Sequence, residues 1–314
     1  MEAILPRDVE SYQDLKDLGV TLFKDINPDL GSCKRGIFDP LYDLLDAGGK
    51  RWRPVYGMIL AKDLGMDIDD FEKSKLLYQC LAAGELIHNA SLVIDDIEDQ
   101  SLKRRGKDCA YIKYGLDISI NAGCTLLNLP MWGLFRIMDT SDPLCIDLVK
   151  EINKELVCIH FGQNWDINWH NGYHFPSEDE YFQMTSSKTG VIPRLIANLV
   201  CRINKVEDEK REKISYMTDK LGIAFQIQDD VIALESDAYA ETRGIIGEDI
   251  HEGKRTLMVI HSHQNLAKSD SDRLLDILKM HTEDKETIKE AIDLIKSTDS
   301  INYAKSVAEN MIQR

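Results

Sequence analysis

Apolar residues return every three to four positions along almost the whole chain, and this period limits the fold more than any other property of the sequence. It predicts helices over 8–25, 37–47, 53–64, 71–103, 117–138, 141–168, 177–202, 208–235, 254–265, 270–281, 284–296 and 300–312. No alternating pattern long enough for a half-buried strand competes with it. Glycine (19) and proline (8) are sparse in 314 residues, so long stretches run without a helix breaker. Ser141-Asp142-Pro143 marks one helix start, and Ser177 with Glu180 three residues on forms a capping box before another. The loops left over are Asn27–Lys34, Trp169–Phe175 and Ser236–Gly253. No low-complexity linker divides the chain. The expectation is an all-α fold, a helical bundle, with 1–314 as one domain.

Hydrophobic residues make up 43% of the chain, enough for a packed core. The net charge of −16 argues against nucleic acid, whose phosphates need a positive face. From Ile118 to Phe135 no residue is charged, but Asn121, Asn128 and Pro130 interrupt the run. A bilayer needs about 20 apolar residues. A central helix buried on all sides is expected there, and no transmembrane segment. Seven scattered cysteines form no CxxC pair, and MEAILPRDVESYQD carries no signal-peptide core. Both features point to a cytoplasmic protein with free, buried thiols.

Against this acidic background, SLVIDDIEDQSLKRRGK (Ser91–Lys107) sets four acids before four cations. At 100° per residue, Asp95 and Asp99 share a helix face about 40° apart, Asp96 lies at its border, and His88 falls about 20° from Asp95, two turns earlier. Carboxylates grouped this way repel one another unless a cation joins them. Mg²⁺ takes oxygen ligands and is often shared between one or two carboxylates and substrate phosphates. A solvated acidic helix end would explain one such patch. A second, FQIQDDVIALESD, repeats the arrangement with Asp229 and Asp230 after Gln226, and two such patches in a bundle can face each other across a cavity. GGKRWRP supplies Lys50, Arg51 and Arg53 beside a glycine pair, which suits an anion. As a lone motif it also fits a basic loop tip in water. SSKTG and EDIHEGKRT are weaker signals. No GxxxxGK[ST], HExxH or GxSxG motif is present.

In their order, GGKRWRP, ELIHNASLVIDDIEDQSLKRRG, HFGQNWDI, SSKTG, FQIQDDV and GEDIHEGK resemble the trans-isoprenyl diphosphate synthase (polyprenyl synthetase) family over Asp39–His263. The wording HNASLVIDDIED is most similar to eukaryotic-type geranylgeranyl diphosphate synthases. The resemblance implies the isoprenoid synthase helical bundle around a deep cavity, and a Mg²⁺-dependent homodimer that joins isopentenyl diphosphate to an allylic prenyl diphosphate. Asp95, Asp96, Asp99, Asp229 and Asp230 would hold the metal. Lys50, Arg51, Arg53, His88 and Arg105 would bind isopentenyl diphosphate. Arg104, Lys188 and Arg243 would grip the allylic diphosphate, with Thr189 and Gln226 beside it and Lys254 near the mouth.

Two positions depart from the family. Ala233 stands where the second motif usually has Asp or Asn, and it cannot bind metal; one ligand is lost, Asp229 still coordinates, and Asp237 or water is a candidate replacement. Arg243 replaces the usual lysine. Bulky residues four and five positions before the first motif stop the growing chain in the family, whereas Ser91 and Ala90 are small here. Leu127, Asn128 and His160 match floor positions farther down. A twenty-carbon product is expected, with a longer polyprenyl chain as the alternative. A non-catalytic regulatory subunit is a second reading, fed by Ala233. A terpene cyclase is a third, and it has no use for the GGKRWRP site.

Overall fold

The computed structural model describes residues 1–21, 28–235 and 247–313. The chain divides into two compact units, Met1–Lys154 with Leu195–Ile214, and Glu155–Arg194 with Ser215–Arg314. The unit boundaries fall within three helices, α8 (Pro143–His170), α10 (Val191–Ile203) and α11 (Asp208–Glu235).

The first unit is built from α1 (Tyr12–Asp17), α2 (Leu30–Cys33), a π-helical turn (Lys34–Phe38), α3 (Asp39–Asp46), α4 (Trp52–Asp63), α5 (Phe71–Glu98), a small hairpin of β1 (Lys103–Arg104) and β2 (Lys107–Asp108), α6 (Ala110–Tyr114) and α7 (Leu116–Ile137). Helix α5 is its spine. Asp70 caps it by accepting from the Lys73 N–H, and its buried positions Leu77, Leu81 and Gly84 keep a helical spacing. One side of α5 packs on α7. Leu77 and Leu81 meet Ala61 of α4 and Ile196 and Val200 of α10. Truncating the fully buried Leu77 to alanine would cost about 2–5 kcal/mol.

The second unit holds α9 (Glu178–Thr185), a π-helical turn (Ser186–Gly190), α12 (Glu248–His251), α13 (Leu257–Asn265), α14 (Lys268–Met280), α15 (Lys285–Lys296) and α16 (Ser300–Gln313). Its core joins Ile227 and Val231 of α11 to Met258, Ile277 and Ile295. The predicted capping box at Ser177 forms, with the hydroxyl accepting from the Glu180 N–H and the Glu180 carboxylate accepting from the Ser177 N–H.

The fold class is all-α, as the periodicity requires. Four expectations change in detail. The helix predicted over 8–25 shrinks to α1 among the described residues. The one predicted over 71–103 stops at Glu98, because Gln100 adopts a positive φ of 55° and the chain turns into a hairpin. The span 177–202 is helical throughout but changes register at the π turn. Helix α7 is not buried on all sides: Ile120, Cys124, Asn128 and Trp132 recur along an exposed face, while Ser119, Ala122, Leu126 and Leu134 are buried. All seven cysteines are free; Cys80, Cys109, Cys145 and Cys201 are buried, Cys33 and Cys158 half-buried, and Cys124 exposed. No helix among the described residues is long and apolar enough to cross a membrane.

Candidate functional site

In the first unit, the hairpin after α5 folds the cation run back onto the acids. Arg105 and Gly106 form its two-residue turn with φ of 55° and 77°, the left-handed pair that a tight hairpin needs. Arg104 then reaches the end of α5. Its Nε donates to Asp96 Oδ1 at 2.7 Å and its Nη2 to Asp95 Oδ2 at 3.2 Å. Asp96 is buried and Asp95 half-buried. Asp99 is the buried C-cap of the helix, and its N–H bonds the Asp95 carbonyl.

Two turns earlier on the same helix, a group of arginines surrounds His88. Arg53 Nη1 donates to His88 Nε2 at 3.1 Å. Arg51, in a left-handed conformation (φ 49°) at the start of α4, donates to Glu85 Oε1 at 2.5 Å and to the Leu45 carbonyl at 2.7 Å. Arg105 donates to the Leu44 carbonyl at 3.0 Å. A Cβ on Gly49 would lie 3.2 Å from the Arg105 guanidinium, so that position has little room for a side chain. Lys50 is exposed beside it. Burial, then the charges of Arg53, Arg105, Arg104 and Arg51, hold the His88 pKa well below its usual value. The ring is therefore neutral, and its Nε2 accepts from Arg53. Burial, with Arg51 and Arg104 nearby, lowers the Arg105 pKa to about 10. Cations held this close to one another want an anion among them.

In the second unit, α11 presents Gln226, Asp229 and Asp230. Asp230 is buried and accepts from the Tyr181 hydroxyl at 2.9 Å and from Gln226 Nε2 at 2.7 Å. The Thr189 hydroxyl donates to Gln226 Oε1 at 2.8 Å. Burial, followed by the charge of Asp249, raises the Asp230 pKa to about 8. Lys188 Nζ donates to the buried Asp166 at 2.6 Å. Burial alone would raise the Asp166 carboxyl, but Lys188, Lys254 and His170 outweigh it and hold it low. Lys254 pairs closely with Glu252 and lies 3.7 Å from Asp249. Ala233 is buried. Arg243 and Asp237 lie outside the described residues.

The structure thus gathers Arg51, Arg53, Arg105 and His88 in one group and ties Arg104 to Asp95 and Asp96. It links Thr189, Gln226 and Asp230 in a chain. Ala90 is fully buried, and the Ser91 hydroxyl turns back to the His88 carbonyl. Leu127 is buried, whereas Asn128 and His160 are exposed. Sequence reasoning gave no role to Glu85, Asp166, Tyr181 or Asp249. Glu85, Asp166 and Asp249 stand inside the motifs ELIHNAS, HFGQNWDI and GEDIHEGK, so their motif membership was the available signal. Nothing local marks Tyr181.

The residues fit a hard divalent cation. Both acidic patches offer carboxylate oxygens, and the Arg104 guanidinium already occupies the cation's electrostatic place between Asp95 and Asp96. Among the described residues no three His, Cys, Asp or Glu side chains converge into a complete metal cage. A metal here would draw the rest of its coordination from water and phosphate oxygens, the usual habit of Mg²⁺.

Residues 34–295 match the family model described as Polyprenyl synthetase. The chain is 35% identical over 271 residues to a short chain isoprenyl diphosphate synthase of Methanocaldococcus jannaschii, a match covering 85% of this chain and 79% of that one. It is 35% identical over 226 residues to a geranylgeranyl pyrophosphate synthase of Penicillium paxilli, covering 72% of this chain and 57% of the fungal one. Among solved structures it resembles geranylgeranyl pyrophosphate synthetase from Pyrococcus horikoshii, with a TM-score of 0.77 at 29% identity over 99% of this chain and 90% of that one.

Proposed function

The chain belongs to the polyprenyl synthetase family and is a prenyltransferase; we propose that it joins isopentenyl diphosphate to an allylic diphosphate and releases geranylgeranyl diphosphate. The observation that carries this reading is the layout of α5. His88 with its arginines and Asp95 with Arg104 share one helix face, about 10 Å apart along the axis. An anion site and a cation-dependent anion site therefore stand side by side, as a two-diphosphate reaction demands.

Lys50, Arg51, Arg53 and Arg105 hold isopentenyl diphosphate, and the neutral His88 keeps Arg53 oriented. Arg104, Lys188, Arg243 and Lys254 bind the allylic diphosphate. When that C–O bond breaks, the electron pair leaves with the diphosphate, and these cations take up the developing charge. Asp95, Asp96, Asp99, Asp229 and Asp230 would hold Mg²⁺, which would supply further neutralisation of the leaving group. The isopentenyl double bond attacks the allylic carbon, a new C–C bond forms, and the proton lost from the adjacent carbon passes to the departed diphosphate. No protein nucleophile is needed, which agrees with a site made of cations, carboxylates and neutral polar groups.

The small side chains of Ala90 and Ser91 let the product grow past fifteen carbons. The buried Leu127 is the stopping residue in this reading, with Asn128 and His160 as the other floor positions that the resemblance names. Ala90→Phe should shorten the product to fifteen carbons. The reading also takes the enzyme as a cytoplasmic homodimer. The exposed Ile120 and Trp132 on α7 support self-association.

The test is to incubate the protein with Mg²⁺, isopentenyl diphosphate and, in turn, dimethylallyl, geranyl and farnesyl diphosphates, then to dephosphorylate the products and separate them by length. A twenty-carbon alcohol is expected from each primer. A longer ladder would move the assignment to a polyprenyl synthase. No elongation by folded protein would favour the regulatory subunit, with the buried Ala233 as its cause.

A further inference from the structure

The Ser186–Gly190 turn that carries Lys188 and Thr189 is π-helical, one residue wider than the α-helices on either side. Such a turn has a neighbouring minimum: relaxation to α-helical register removes the extra residue and rotates the side chains that follow by about 100°. Lys188 would leave Asp166 and Thr189 would leave Gln226. Something must hold the wider register.

Two backbones press on the turn. A Cβ on Gly162 of α8 would fall 2.5 Å from the Lys188 nitrogen, and a Cβ on Gly222 of α11 would fall 2.6 Å from Gly190 Cα. Beneath them lies a charged cluster that plays no part in the reaction described above. Arg194 Nη2 and Nε donate to Glu155 at 2.6 and 3.1 Å. Its Nη1 donates to Asp219 Oδ1 at 2.5 Å and to the Ser186 hydroxyl at 3.1 Å. The Ser186 hydroxyl in turn donates to Asp219 at 2.9 Å. Glu155 is almost wholly buried, and Arg194, Asp219 and Ser186 are half-buried. A half-buried arginine shared by two acids and a serine, anchored on the buried Glu155, satisfies all its partners in few geometries, so it favours one register of the segment it grips.

We infer that Glu155, Arg194, Asp219 and Ser186 form a clamp that keeps the π turn in its wide register and so positions Lys188 and Thr189 for the allylic diphosphate. They are positioning residues; none touches substrate. The inference rests on the reading of Lys188 as part of the allylic grip.

The experiment compares Ser186→Ala, Ser186→Thr and Asp219→Asn with the wild type, with Lys188→Ala as the site reference and the exposed Lys268→Ala as the control. Two quantities are read: the KM for each diphosphate, and amide hydrogen exchange across residues 186–194. Ser186→Ala is the mild variant, chosen because Asp219→Asn leaves Arg194 half-paired and can unfold the unit. Ser186→Ala should raise the allylic KM about threefold to tenfold and leave the isopentenyl KM within twofold. Exchange should quicken in the turn and stay unchanged in α13 to α16. Ser186→Thr, which keeps the hydroxyl, should restore both. Folded Ser186→Ala and Asp219→Asn proteins with wild-type exchange in the turn would overturn the clamp, as would equal rises in both KM values. If Lys188→Ala leaves the allylic KM of an active wild type unchanged, or the wild type makes no product, the reading of the site fails instead. Exchange in the Ser186 variants then decides the clamp by itself.

Discussion

Asp95-Asp96 and Asp229-Asp230 occupy the same place near the ends of long helices, yet the fold compensates them in opposite ways. The first pair receives a positive charge from its own chain, since Arg104 bridges both carboxylates. Asp230, in the second pair, receives neutral partners, Tyr181 and Gln226, and sits near a further acid, Asp249. A guanidinium beside a carboxylate favours its ionised form. A buried carboxylate among neutral donors, with another acid close by, holds a proton instead. Two patches that look alike in sequence therefore differ in what balances their charge.

The largest effect should come from removing the internal cation. Arg104→Ala removes the guanidinium that bridges Asp95 and the buried Asp96, and kcat should fall by about 10²–10³. In chelator its melting temperature should also drop, and Mg²⁺ should recover more of that loss than it adds to the wild type. Equal Mg²⁺ responses in the two proteins would break the comparison. Next, Arg53→Ala should raise the isopentenyl diphosphate KM about 10- to 100-fold, since it removes a charge-assisted anchor. The allylic KM should stay within twofold. A parallel rise in both would mean that the arginine group around His88 is not a separate anion site.

A smaller effect tests the proton on Asp230. Its folded pKa is raised to about 8, against about 3.9 for an unfolded aspartate. The carboxyl binds its proton more tightly in the folded chain, so its contribution is fully present below the unfolded value and is lost as pH rises through the folded one. In chelator, Asp230→Asn should therefore gain melting temperature over the wild type, by a few degrees at pH 8 and by little at pH 5. A gain that does not grow with pH would show that Asp230 is ionised throughout. The smallest change is expected from Ala233→Asp, which restores a third carboxylate to the second motif. Its kcat should rise by about threefold or less if Asp229 suffices. A rise from no activity would instead make Ala233 the disabling change.

Much of this was legible in the sequence. Long periodic segments such as α5, α7 and α11 stand close to where the periodicity puts them, because each must bury an apolar face and few residues within them break a helix. The motif residues fall where the wheel places them, with His88 and Asp95 on one face of α5. What escaped is of two kinds. Short elements, α2, α6, α12 and the hairpin at 103–108, are too brief to show a period. Partners far apart in the chain leave no local trace: Tyr181 meets Asp230 across 49 residues, and Arg194 joins Glu155 across 39.

The sequence by itself determined that this chain is helical and acidic, with two carboxylate pairs and two basic motifs placed at helix ends, since period, charge and spacing are properties of the chain alone. Only the tertiary structure decided that Arg104 bridges the first pair while Asp230 of the second is favoured to keep a proton, that His88 is a neutral ring among arginines, and that Lys188 stands on a wide turn held from below. Each of these depends on which groups burial forces together and on the charge those groups can keep once water is gone.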